Sequence, residues 1–110
     1  MKYPKEYLDE IKTRLKVSTV VSKTVNLKKR GKEFVGLSPF KTEKTPSFTV
    51  NDEKGFYHCF STSEHGNIFD FVMKTQNLKF GETVKSLANL AGMRPYIFSK
   101  QDEEREKNWQ

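Results

Sequence analysis

The chain has 110 residues, of which 35% are apolar, with a net charge of +6 and a single cysteine. That length fits one small domain, and the modest apolar content allows only a small core, to which nine phenylalanines contribute disproportionately. One cysteine excludes an internal disulfide, and with no secretory or membrane-spanning stretch the chain reads as cytoplasmic, with no membrane partner.

Residues 4–15 are predicted to form a helix, because Leu8, Ile11 and Leu15 recur at spacings of three and four behind Pro4. The following "VSTVVSKTV" fits two states. Ser18 can cap a short helix over residues 19–22, or the β-branched run can be strand. "TVNLKKRGKEFVGLS" reads as two strands about a turn at Arg30, Gly31 and Lys32. "PSFTV" and "FYHCF" form a second pair joined by "NDEKG", where Gly55 can supply a positive φ. Alternation puts Tyr57 and Cys59 on one face of the last strand and His58 on the other. "GNIFDFVMKTQN" is predicted helical with Asn67 as N-cap, and "GETVKSLANLAGM" forms a further helix that stops at Gly92. The end, residues 99–110, is polar and unpatterned and reads as a linker or tail.

Charge is concentrated between Lys23 and Lys44, where seven basic and two acidic residues give +5 in 22 positions. Such a cluster attracts phosphates in a salt-dependent way, although a solvated surface accounts for it equally well by charge alone. Lysines beside exposed aromatic rings on strands suit single-stranded DNA, since cations follow the backbone and rings stack on bases. The residues singled out are Lys28, Lys29, Arg30 and Lys32 on the first hairpin, Lys41 and Lys44 in the loop, and Lys54, Tyr57, His58 and His65 around the second. The competing roles are core packing for Tyr57 and a turn-stabilising hydrogen bond for His58 and His65, favoured at His65 beside Gly66. The carboxylates are scattered among lysines, so no catalytic residue is assigned.

"SPFKTEKTPSFTV" and "FYHCF…HGN" resemble the N-terminal zinc-ribbon domain of bacterial replicative DNA primases of the DnaG type, and the likeness covers roughly residues 4–94. The resemblance implies an α+β fold for residues 1–98. A small antiparallel zinc-ribbon-like sheet would be preceded by a helical segment and followed by two helices. It also implies a module that contacts the single-stranded DNA template and helps select the start site for RNA primers. A separate polymerase domain, expected beyond this chain, would carry the magnesium and the chemistry, and the replicative helicase would be met through the parent protein. A free-standing DNA-binding protein and a protein-docking module on the same fold are the alternatives.

The family pattern implies four zinc ligands, a Cys-x-x-His pair and a Cys-x-x-Cys pair. Here they fall on Ser38, Lys41, Cys59 and Thr62, so three of the four are absent. A hydroxyl is a poor zinc ligand and a lysine at neutral pH has no lone pair to offer. Zinc is therefore not expected, and the Lys41 charge is expected to stand where the metal stood. A rearranged site using His58, Cys59 and His65 is disfavoured by strand alternation. Structural zinc contributes on the order of 10 kcal/mol in small peptides. The expected substitutes are hydrogen bonds from Ser38, Thr62 and Ser63, and a core of Phe40, Phe48, Phe56, Phe60, Phe69 and Phe71.

Overall fold

The computed structural model describes residues 2–98, so the tail assigned to 99–110 lies outside the described residues. Two helices open the chain, α1 (Lys5–Arg14) and α2 (Val17–Val21). The strands follow as β1 (Lys28–Arg30), β2 (Glu33–Gly36), β3 (Phe48–Asn51), β4 (Phe56–Cys59) and β5 (His65–Gly66). Helices α3 (Ile68–Gln76) and α4 (Phe80–Leu90) close the fold. The strands form one antiparallel meander in the order β1-β2-β3-β4-β5. This is the expected α+β architecture, enlarged by β5, a two-residue strand too short to leave a periodic signal.

The ambiguous run after α1 resolves as helix. Its N-cap is Lys16, not Ser18. The Ser18 hydroxyl and backbone N–H instead donate to the Asp52 carboxylate, at 2.6 and 2.8 Å, tying α2 to the β3–β4 turn. The bend between α2 and the sheet takes up Thr24–Leu27, so β1 begins four residues later than the sequence predicts. Gly55 adopts the expected positive φ, 75°, in the β3–β4 turn. Asn67 caps α3 as expected. Its side chain accepts from the N–H groups of Phe69 and Asp70, and Asp70 accepts in return from the Asn67 N–H, satisfying helix-end donors reciprocally.

The core lies between one face of the sheet and the helices. Phe48 and Val50 of β3 point inward with Tyr57 and Cys59 of β4. Phe48 and Tyr57 stack at 5.4 Å, and Phe71 of α3 meets Tyr57 edge-on at 5.5 Å. Val17, Val20 and Val21 of α2 and Val84 and Leu87 of α4 complete it. Two expected core members are not there: Phe56 is 55% exposed and Phe60 68%. Both sit at the same parity as His58, on the outer face of β4, so the pleat turns them away from the helices. No helix among the described residues is long and apolar enough to cross a membrane.

Candidate nucleic-acid interface

Strand register assembles the outer face of the sheet. Lys28 pairs with Val35, Val35 with Thr49, Thr49 with His58, and His58 with His65. Directly paired residues project to the same side, so these five form one row across the whole sheet, spanning roughly 19 Å at a strand spacing of about 4.8 Å. Arg30 lies one pleat along on the same face, and Phe56 and Phe60 flank His58 on β4. Phe60 stacks on His58 with ring centroids 4.3 Å apart, and His58 lies parallel to His65 at 6.2 Å. The outer face thus carries a strip of four rings at one side and a cationic edge at the other.

The sequence-predicted residues divide accordingly. Lys28, Arg30, His58 and His65 share the outer face, and all four are exposed. Lys29 pairs with Phe34 and so belongs to the opposite parity of the edge strand, while Lys32 sits in the β1–β2 turn. Lys44 is exposed in the β2–β3 loop and Lys54 in the β3–β4 turn, at the far end of the sheet. Tyr57 is a correction: it is 1% exposed, wedged among Phe48, Phe40 and Phe71, and presents no face to a base. Its hydroxyl has no hydrogen-bond partner among the described residues. Burial, with the carboxylates of Asp70 and Glu64 adding to it, holds the phenol well above the usual tyrosine range. His65 keeps the turn contact weighed for it, with Nδ1 3.3 Å from the Ser63 carbonyl. Phe56 and Phe60 are exposed rings that the sequence reading assigns to the core, and the signal that finds them on this face is the alternation through His58.

Beneath this face, the two turns in which the resemblance places zinc knuckles are joined by side-chain hydrogen bonds. The Glu43 carboxylate accepts from the backbone N–H of Ser38 at 2.9 Å and of Ser47 at 3.0 Å. It also accepts from the Ser47 hydroxyl at 2.7 Å. These bonds, the Ser47 hydroxyl first, hold the Glu43 carboxyl below its ordinary 4.5. Cys59 Sγ lies 3.2 Å from Ser38 Oγ and 3.3 Å from Ser61 Oγ, while the Ser47 and Ser61 hydroxyl oxygens are 2.8 Å apart. Burial pushes the Cys59 thiol up, but hydrogen bonds from the hydroxyls of Ser38, Ser61 and Thr62 outweigh it and bring the thiol to about 6. Thr62 Oγ1 accepts weakly from the Glu64 N–H at 3.4 Å.

Two expectations about this cluster are corrected. Lys41 is exposed and, among the described residues, makes no ion pair or hydrogen bond, so its charge is in solvent and not at the centre of the knuckles. The group that bridges the turns is anionic, Glu43. Ser63 contributes through its backbone: φ is 65° and its N–H donates to the Cys59 carbonyl at 2.8 Å, while no side-chain bond forms. The donors do not fit a tetrahedral zinc ion. One thiol faces hydroxyls, and His58 points to the opposite face of the sheet from Cys59. Among the described residues no three His, Cys, Asp or Glu side chains converge.

A family model described as the CHC2 zinc finger, of the DnaG zinc-ribbon type, matches residues 3–104. The chain belongs to this family. Its relatives include the DNA primase of Escherichia coli K12, 47% identical over 85 residues, which are 77% of this chain and 15% of that protein. The Lactococcus lactis DNA primase is 38% identical over 103 residues, 94% of this chain and 16% of the relative. Among solved structures, the Aquifex aeolicus primase, comprising zinc-binding and RNA polymerase domains, superposes with a TM-score of 0.76 at 27% identity. The match covers 88% of this chain and 25% of that one. The chain therefore corresponds to a small part of each primase.

Proposed function

We propose that this domain is a primase module that holds the single-stranded DNA template on the outer face of its sheet, in support of start-site selection for primer synthesis. One observation carries the reading. Phe56 and His58 of β4 and Phe60 just past its end stand together in solvent, and His58 is in register with Lys28 on the cationic edge. Large apolar rings exposed together mark interaction surfaces, and rings flanked by cations suit unpaired bases and their phosphates. Lys29 and Lys32 supply further positive charge at that edge, where Glu33 pairs with Arg30. The domain positions DNA and performs no chemistry of its own. Nucleotidyl transfer, with its magnesium, belongs to a polymerase domain of a parent primase, and contact with the helicase is likewise a property of that parent.

The same reading includes independence from zinc. The Glu43 carboxylate and the hydroxyls of Ser38, Ser47 and Ser61 link the two turns that a metal would otherwise clamp, and the aromatic core supports them from below. The experiment is a fluorescence-anisotropy titration with labelled oligodeoxynucleotides, single-stranded and duplex, over a range of salt. Binding should favour the single strand and weaken with salt in proportion to the phosphates neutralised. Salt-independent binding, or equal affinity for duplex, would overturn the template reading and favour a docking role.

A further inference from the structure

One group of oxygens serves neither the template face nor the packing of the core. The Cys59 N–H donates to the Glu64 carbonyl at 2.7 Å, and Tyr57 pairs with Gly66 across β4 and β5. Glu64 therefore lies opposite Cys59, and alternation sends its side chain to the inner side of the sheet, with those of Tyr57 and Cys59. Gly66 has no side chain to place there, and the Asp70 carboxylate of α3 takes the space. A Cβ on Gly66 would lie 2.5 Å from Asp70 Oδ2. Burial raises the pKa of the Tyr57 phenol, and the carboxylates of Asp70 and then Glu64 add to it, so both charges lie near its hydroxyl.

Two of these oxygens are orphaned. Tyr57 Oη and Glu64 Oε2 are shut off from solvent and have no hydrogen-bond partner among the described residues. Asp70 Oδ2 accepts from the Asn67 N–H at 3.0 Å, and the start of α3 answers its charge. Glu64 has no such answer, since it makes no ion pair among the described residues. Lys74 stands one turn beyond Asp70, but its ammonium extends over the Tyr57 ring, 6.0 Å from the centroid, and it forms no ion pair either among the described residues. Buried charge is kept where it is paired or holds a cation. The donors here are all oxygen, a set that selects hard cations. Magnesium in particular is held by one or two carboxylates and keeps several waters. Water can reach the group, because Glu64 and Asp70 are only partly buried and β5 is an edge strand.

We propose that Glu64, Asp70 and Tyr57 form a site for a hard divalent cation of the magnesium class, which ties β5 to the first turn of α3. The two carboxylates supply the charge, the Tyr57 hydroxyl a third and neutral oxygen, and water the rest of the shell. So small a ligand set gives an affinity of about millimolar. Protein purified without added magnesium should carry none, and chelation should leave its melt unmoved. The site lies on the inner side of the sheet, so it is independent of the template reading.

The test compares thermal melts of chelator-dialysed protein with and without about 10 mM MgCl₂, against KCl of equal ionic strength. Magnesium should raise the wild-type melting temperature by about 5 °C, and KCl should not. Glu64→Gln should melt at or above the wild-type temperature in metal-free buffer, because the unanswered carboxylate is gone, and should not respond to magnesium. Tyr57→Phe should respond with several-fold weaker apparent affinity. Electron paramagnetic resonance with Mn²⁺ alone, which reads binding whatever the melt does, should find about one bound ion per wild-type chain and none at this site in Glu64→Gln. No magnesium shift in the wild type, an equal shift in KCl, or a full response in Glu64→Gln would overturn the site. So would Lys74→Ala melting well below the wild type in metal-free buffer, since the ammonium would then be the counter-charge.

Discussion

Replacing Phe60 by alanine separates a binding role from a folding role. The ring is 68% exposed and rests on His58 at 4.3 Å. Truncating a buried phenylalanine costs about 3–5 kcal/mol, and a ring with a third of its surface covered should lose about a third of that, ~1 kcal/mol. Stacking of one base on one ring, by contrast, is worth about 1–3 kcal/mol, or roughly 5- to 150-fold in affinity. The variant should therefore melt only a few degrees below the wild type and retain the same far-ultraviolet circular dichroism. Its anisotropy titration with octathymidylate should shift by at least about fivefold. An affinity within twofold of wild type would refute the assignment of the β4 rings to base stacking. So would a variant that unfolds, because Phe60 would then be doing the work of a core residue.

Three further outcomes follow from the knuckle cluster and the core. Introducing Ser38→Cys, Lys41→His and Thr62→Cys together should complete a tetrahedral set with the native Cys59, whose Sγ already lies 3.2 Å from Ser38 Oγ. Elemental mass spectrometry should then find about one equivalent of zinc in the variant and close to none in the wild type. Glu43→Gln should lower the melting temperature, because an amide NH₂ then faces backbone and hydroxyl donors that the carboxylate accepts from. The folded carboxyl titrates below its ordinary 4.5, so the unfolded chain takes up protons first. Wild-type stability should accordingly fall as the pH drops through 4.5 toward the folded value, and the Gln variant should lose less over the same melts. Tyr57→Phe should be neutral or stabilising in a denaturant titration, since the deleted hydroxyl is buried without a partner among the described residues and such a group costs about 1–3 kcal/mol to desolvate. A loss above about 1 kcal/mol would mean that the hydroxyl is bonded in solution through water to Glu64 or Asp70.

Much of the fold was legible because its signals are local. Asn67 and Asp70 cap α3 through their own side chains, and the β3–β4 hairpin is written in the alternation of Phe48 and Val50 and in Gly55. The misassignments share a cause. Residue type alone assigns Phe56 and Phe60 to the core, although the alternation that sends His58 outward carries them with it. Residue type and periodicity conflicted there, and periodicity won because the sheet has helices on one face only. Tyr57 was considered for base stacking although the same alternation sends it inward. What the sequence could not display is pairing between distant segments. Ser18 meets Asp52 and Glu43 meets Ser38 and Ser47 only once the chain has folded, and neither pairing leaves a spacing rule. Lys41 illustrates the same limit: its position suggested a replacement charge at the metal centre, but a lysine with no buried partner stays in water, and Glu43 makes the bridge.

The proposed function requires that this zinc-ribbon fold present a single-stranded DNA surface without a bound metal. The most direct measurement is the octathymidylate titration repeated on protein dialysed against excess chelator. The account predicts the same affinity and salt dependence before and after dialysis, with a cooperative melt that does not move. Loss of binding together with collapse of the melt would contradict it, because the sheet and its row of rings would then depend on a metal that Cys59 had recruited with new partners.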